Sequence, residues 1–376
     1  MTQIRILFFH RWVGVHVGGT ETHIKELASR LSKRGHLVHI LTREGDELKG
    51  YESLMRIWRV TKNWKESPFS YEDIRVYVYT LMFLFKSFFR LLTLRLKGIQ
   101  FDVVSVHFVT EAFLIRLVRW LFGWPYVFVL EGYTDLEARE AKHANLQIAI
   151  SQDITDKCFA NYGYKPLFIP PGIDLERFNA EVDGSGIRKQ YSKNNEKLIL
   201  TACRLDPRKD ISTLVFAASI VCGQDPHIKF IIAGDGIERE KIERQIKDLG
   251  LSDKVKIIRK TVTPEYYRAC DIFVLPSLYE GFGIVFLEAM ASGIPIISTT
   301  APAIPEVVGE SGVLVPPRKP DLLAEKILQV INDDKLREKL REKGFERVKK
   351  YDWDGIVVEY EKAYESVIKP KMEPYN

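Results

Sequence analysis

Short apolar runs alternate with amphipathic stretches along the whole chain, and this period constrains the fold more than any other feature. Ile4–Phe9 reads as a strand, Thr20–Arg34 as a helix with Gly35 as its cap, and Leu37–Leu41 as the next strand. Asp102–Val106, Tyr126–Leu130 and Leu146–Ile150 continue the series. The rhythm restarts with Lys197–Cys203, Lys229–Ala233, Val255–Ile258, Asp271–Leu275 and Pro295–Ser298. Strands that are apolar along their whole length are covered on both faces. The expected class is therefore α/β, with parallel sheets sandwiched between helices. Pro170-Pro171-Gly172 stops any regular element and marks the break between two halves. A chain of 376 residues suits two domains.

The segment EGFGIVFLE, Glu280 to Glu288, places two carboxylates around Gly281 and Gly283. The run before it predicts a buried strand, and Ile284–Ser292 predicts a short helix with Gly293 as its C-cap. Glu280 then lies at a strand's carboxyl end, where open α/β sheets place their ligands. Backbone amides near Gly283 and Ile284 would form a helix N-terminus, a natural phosphate seat. Glu288, one turn further, could hold two vicinal hydroxyls. A carboxylate on each side of a phosphate seat suits a sugar nucleotide. The same spacing also fits a surface loop leading into a capped helix.

The flanks make the pattern specific. Tyr267–Glu306 resembles the signature of family 4 of the retaining GT-B glycosyltransferases. Residues 18–36, 102–107, PPGIDLERF (170–178), RLDPRKD (204–210) and GDG (234–236) resemble further pieces of that family, in the expected order. The resemblance implies two Rossmann-like domains with parallel sheets facing across a cleft. Residues 1–170 would bind the acceptor and 171–350 the nucleotide sugar. Residues 351–376 would form a helix crossing back to the first domain. It further implies transfer of a hexose from a UDP-, GDP- or ADP-sugar to a glycan or lipid-linked acceptor. No cofactor, no metal and no nucleic-acid partner are expected.

The resemblance also implies roles. Arg204 and Lys209 would contact the donor diphosphate, where two cations stabilise a leaving group without a metal. A solvated basic turn is the plainer reading. Gly18 and Gly19 open the first helix and would approach the diphosphate, although such a pair often marks only a tight turn. His107 would lie beside the transferred sugar; a buried, satisfied histidine is the alternative. Glu280 would hold donor-sugar hydroxyls and Glu288 the ribose. Base contacts would come from the loop at 259–262. Glu131 departs from the pattern, because many relatives carry a histidine near this point, facing the acceptor. It could bind an acceptor hydroxyl, act as a base, or pair with a nearby Arg. Asp352-Trp353-Asp354 reads as the N-cap of the last helix rather than as a metal motif. Two other functions stand beside transfer. A GT-B-like sugar-nucleotide epimerase would need a dedicated base and no acceptor. A non-catalytic nucleotide-sugar-binding protein could dispense with Arg204, Lys209 or His107.

Charge and composition bear on location. Residues 1–170 carry 23 Lys and Arg against 17 Asp and Glu, whereas residues 171–376 carry 32 against 33. The segment 74–100 holds five cations and no acid among Phe, Leu and Met, and 115–124 repeats the flavour with Arg116 and Arg119. Such helices can lie in an anionic membrane interface, or be domain helices whose cations snorkel. No run approaches the roughly 20 apolar residues of a spanning helix, and residues 1–10 read as a strand rather than a signal peptide. Four scattered cysteines without a CxxC argue against a zinc site and against disulfides. A cytoplasmic protein, peripheral on the membrane's cytoplasmic face through 74–124, is expected.

Overall fold

The computed structural model describes residues 3–13, 15, 18–61, 74–193, 196–259 and 262–368, with the side chains of 74–76 left aside. These residues fall into two compact units. One holds the elements up to Pro171 together with the helix Trp353–Ile368; the other runs Gly172–Asp352.

The first unit contains strands β1 (Arg5–Phe9), β2 (Leu37–Thr42), β3 (Arg56–Arg59), β4 (Val103–Val106), β5 (Tyr126–Leu130), β6 (Leu146–Ala149) and β7 (Leu167–Phe168). Their order in the sheet is β3-β2-β1-β4-β5-β6-β7, and every pairing is parallel. The second unit contains β8 (Lys197–Ala202), β9 (Ile228–Ala233), β10 (Val255–Ile258), β11 (Ile272–Leu275), β12 (Ile296–Thr299) and β13 (Gly312–Val315). Their order is β10-β9-β8-β11-β12-β13, again all parallel. Both sheets therefore reverse their strand order, between β1 and β4 and between β8 and β11. A doubly wound sheet opens a crevice at such a reversal, outside the strands' carboxyl ends.

The central strands form as their sequences require. Ile6, Leu7, Phe8 and Phe9 of β1 and all of Ile272–Leu275 in β11 are buried, as strands covered on both faces must be. The helices of the first unit include α1 (Gly19–Lys33), α2 (Ile74–Leu96) and α3 (Val109–Phe122). Gly123, at φ 75°, ends α3 in the left-handed conformation that glycine adopts without strain. The final helix, Trp353–Ile368, belongs to this unit. Its Tyr360 and Tyr364 are fully buried, and its Glu361 binds Arg34 Nε (2.6 Å) and His36 Nε2 (2.9 Å). Although burial opposes ionisation, those two partners hold the Glu361 carboxyl below its ordinary range.

One expectation needs correction. Within α2, Tyr77–Leu96 is long and apolar enough to cross a membrane, and only 22% of its most apolar stretch is buried. Read residue by residue, Lys86 and Arg90 interrupt the apolar run. Averaged over a continuous helix of 23 residues, they do not. The same length and composition equally serve an interfacial helix.

Candidate active site

In the second unit the chain leaves β8 through Arg204 and enters a single 3₁₀ turn, Pro207–Lys209. Asp206 caps that turn through the Arg208 amide and pairs with the Arg208 guanidinium at 3.0 Å. Burial raises the Asp206 carboxyl, but Arg208 outweighs it and keeps the group ionised. The turn approaches the GDG loop after β9 so closely that a Cβ on Gly234 would stand 1.8 Å from the Cys203 carbonyl oxygen. Glycine at φ 154° is the only residue that permits this approach. Arg204 is left exposed, with no side-chain partner among the described residues.

Lys209 and Glu280 meet. Lys209 Nζ lies 2.7 Å from each Glu280 carboxylate oxygen, and Ser277 Oγ donates to Oε1 at 2.6 Å. Glu280 is buried, so the pair is shielded from solvent screening. Two residues assigned separately to diphosphate and sugar thus form one unit. The ammonium keeps a third proton for a further acceptor. Next to them Gly283, at φ 93°, leads into the helix Ile284–Ala291, whose N-terminus has no side-chain cap. A Cβ at Gly283 would stand 2.6 Å from the Phe286 ring. Glu288 lies one turn on. The buried Tyr267 hydroxyl donates to Glu288 Oε2. Burial pushes the Glu288 carboxyl up, and that hydrogen bond opposes the shift. Of the loop expected to read the base, Lys260 and Thr261 lie outside the described residues.

In the first unit, Gly18 is extended and α1 begins at Gly19, where a Cβ would meet nothing within 4 Å. His107 follows β4 and is fully interior. Its Nδ1 lies 2.9 Å from Glu131 Oε1 and its Nε2 lies 3.2 Å from Ser105 Oγ, which in turn accepts from the Tyr364 hydroxyl at 3.2 Å. This chain assigns the tautomer: Ser105 donates to Nε2, and Nδ1–H donates to Glu131. Burial lowers the His107 pKa, so the ring is neutral near pH 7. Both nitrogens are spent inside the protein, as in the plainer of the two sequence readings.

Among the described residues Glu131 has no Arg partner. Its Oε1 lies 3.2 Å from Nδ1 of His23, on α1, as well as against His107. Burial alone would raise this carboxyl, but His23 and His107 hold it well below the usual range. Oε2 has no partner among the described residues. His10, just after β1, is buried with its ring 6.2 Å from that of His107. His10, His23, Ser105, Ser277, Tyr267 and Tyr364 were not expected from the sequence. Ser277 and Tyr267 sit within the quoted signature; the others are scattered, and no spacing links them. No group of three or more His, Cys, Asp or Glu side chains among the described residues is placed to hold a metal.

Comparison with known proteins agrees with this arrangement. Residues 17–177 match the family described as Glycosyltransferase Family 4, and residues 185–347 match Glycosyl transferases group 1. D-inositol 3-phosphate glycosyltransferase of Corynebacterium jeikeium is 26% identical over 93% of this chain and 92% of its own. Alpha-monoglucosyldiacylglycerol synthase of Streptococcus pneumoniae is 26% identical over 78% of this chain and 70% of its own. The solved structure of Anabaena HepE with UDP-glucose superposes with a TM-score of 0.80 at 20% identity, covering 97% of this chain and 100% of that one. Two parallel, doubly wound sheets with this backbone likeness define the GT-B fold. The chain belongs to family 4 (group 1) of the glycosyltransferases. As such it is a transferase that takes a nucleotide-sugar donor.

Proposed function

We propose that this enzyme is a retaining, metal-independent hexosyltransferase acting on a lipid-linked or saccharide acceptor at an anionic membrane. The observation that carries the donor side is the grouping of Arg204, the Lys209–Glu280 pair and an uncapped helix N-terminus beside the β8/β11 reversal. As the C1–oxygen bond to the diphosphate breaks, negative charge grows on the leaving group. Arg204, the third Lys209 proton and the amides at Gly283 and Ile284 stabilise it. Glu280, fixed by Lys209 and Ser277, accepts hydrogen bonds from hexose hydroxyls, and Glu288 accepts them from the ribose. The acceptor oxygen bonds to C1 on the face the diphosphate leaves, and its proton departs with the products.

The membrane side rests on exposed apolar ridges. Tyr77, Leu81, Phe85 and Phe89 repeat every four residues along α2, with Phe85 66% exposed. Phe113, Leu117 and Leu121 repeat likewise along α3, beside Trp120 at 80% exposure. Contiguous exposed apolar surface of this kind marks an interaction site. Lys86 and Lys97 are exposed at its border. Arg90 is turned inward over the Trp58 ring at 4.3 Å, and Arg116 pairs with Glu140 at 3.0 Å, so neither is free for lipid. The name of one curated relative, alpha-monoglucosyldiacylglycerol synthase, is that of an enzyme making a glycolipid, which supports a lipid-linked acceptor.

The test is turnover of UDP-glucose, GDP-mannose and ADP-glucose with and without acceptor vesicles. Transfer that needs the acceptor and survives chelation supports the reading. Conversion of the donor alone to an isomer points to an epimerase, and activity lost to chelator and restored by Mg²⁺ ends the metal-free claim. Co-sedimentation with anionic vesicles at low salt tests the membrane. Each exposed lysine is worth about 1 kcal/mol near such a surface, so K86Q/K97Q should weaken binding roughly 30-fold.

A further inference from the structure

His10 and His23 both carry buried ring nitrogens without a hydrogen-bond partner among the described residues, and His10 is the one whose proton the structure assigns. It is fully buried. Its Nδ1 accepts from the backbone amides of Trp12 (3.2 Å) and Val13 (3.1 Å). An accepting Nδ1 puts the ring's proton on Nε2. That Nε2–H has no partner. Burial pushes the His10 pKa far down, and His107 and Arg11 push the same way, against Glu131, so the ring stays neutral. A buried donor left unpaired is costly, and proteins retain few without a reason.

A complementary acceptor lies close by. Glu131 Oε1 is loaded by His107 and His23, while Oε2 has no partner among the described residues. Both groups adjoin His107: the His10 ring lies 6.2 Å from it, and Glu131 lies 2.9 Å from its Nδ1. Both sit at carboxyl ends of strands around the β1/β4 reversal. One unpaired donor and one ionised acceptor thus stand on a common support.

We propose that His10 and Glu131 grip sugar hydroxyls, His10 Nε2–H donating to one hydroxyl oxygen and Glu131 Oε2 accepting from a hydroxyl. The chemistry selects the ligand. A phosphate could accept from His10 but would be repelled by Glu131; an ammonium would suit Glu131 but offer His10 nothing. A hydroxyl both donates and accepts, and vicinal hydroxyls satisfy both groups at once. His107, His23, Ser105 and Tyr364 are positioning residues that hold Glu131 and keep it ionised. The sugar is either the transferred hexose or the acceptor's own, and the inference rests on the glycosyltransferase reading.

The experiment uses the full chain with H10F, E131Q and the donor-retaining H10Q. Calorimetry compares each nucleoside diphosphate with UDP-glucose, GDP-mannose or ADP-glucose. Kinetics use phosphatidylinositol and monoglucosyldiacylglycerol vesicles as acceptor probes. One lost hydrogen bond of this kind is worth about tenfold. A grip on the transferred hexose predicts about tenfold weaker nucleotide-sugar binding in H10F and E131Q, unchanged nucleoside diphosphate affinity, and partial recovery in H10Q. A grip on the acceptor predicts unchanged donor affinity and about tenfold higher acceptor KM with kcat little altered. Unchanged nucleotide-sugar affinity together with unchanged KM overturns the proposal, as does equal loss of diphosphate and nucleotide-sugar binding. Wild-type protein that binds neither diphosphate nor nucleotide sugar sinks the glycosyltransferase reading itself.

Discussion

The crevices at the two strand-order reversals have the same architecture and different chemistry. Beside β8 and β11 Arg204 stands exposed and Lys209 closes on Glu280 at 2.7 Å. Beside β1 and β4 the neutral imidazoles of His10 and His107 stand with Glu131, next to a buried Arg11–Glu111 pair at 2.9 Å. A doubly wound sheet provides the place and leaves the loops to decide what is bound there. Full charges suit a diphosphate that gains charge during reaction. Neutral donors suit hydroxyls, which would not repay the desolvation of two buried ions.

The sharpest way to break this contrast is to remove the cations. R204A and K209A should each cut turnover about 100-fold or more, the usual scale for lost charge stabilisation of a leaving group. Steady-state kinetics reads this directly, and full activity in both variants would dissolve the distinction between the crevices. K209A also strands Glu280 without its counter-ion, so it should lose stability as well, which thermal unfolding would report.

The two glutamates of the second unit come next. E288A should weaken binding of the free nucleoside diphosphate about tenfold, the worth of a charged hydrogen bond. E280A should spare that affinity and lower transfer. Equal losses by calorimetry would mean that the roles are wrongly divided.

The smallest effect concerns Tyr267. Burial raises the Glu288 carboxyl, and the Tyr267 hydroxyl holds it down. In its proposed role the ionised form accepts the ribose hydroxyls, so nucleotide affinity should fall as pH drops through the raised pKa. Y267F removes the restraint and should move that fall to higher pH, with only a few-fold loss near pH 8. An unmoved pH profile would show that Tyr267 merely fills space.

The sheets were legible because their central strands are long apolar runs whose burial leaves no other reading. β3, β7 and β13 were missed. RIWR in β3 carries two arginines, and β7 has two residues, because edge strands need satisfy only one neighbour. In the second unit Glu280, Glu288, Arg204 and Lys209 stood out because local spacing places them on one loop or one helical turn. In the first unit, sequence singled out only Gly18, Gly19, His107 and Glu131. His10, His23 and Tyr364 come from distant parts of the chain, and only the fold brings them to His107 and Glu131. His107 illustrates the limit, since sequence located it but could not show that both of its nitrogens face inward.

The helix Trp353–Ile368 packs into a unit whose other elements end at Pro171. Its Tyr364 hydroxyl meets Ser105 in the first unit's interior. A ribosome therefore delivers the first unit's sheet early and its closing helix only after the second unit. Until that helix emerges, β4 lacks a neighbour and Ser105 lacks a hydrogen bond, while the second unit can already fold from a continuous stretch of chain. Order of synthesis and order of completion are thus reversed. Expressing residues 1–171 alone would yield an unfinished object rather than a free domain, whereas 172–352 is the piece to isolate.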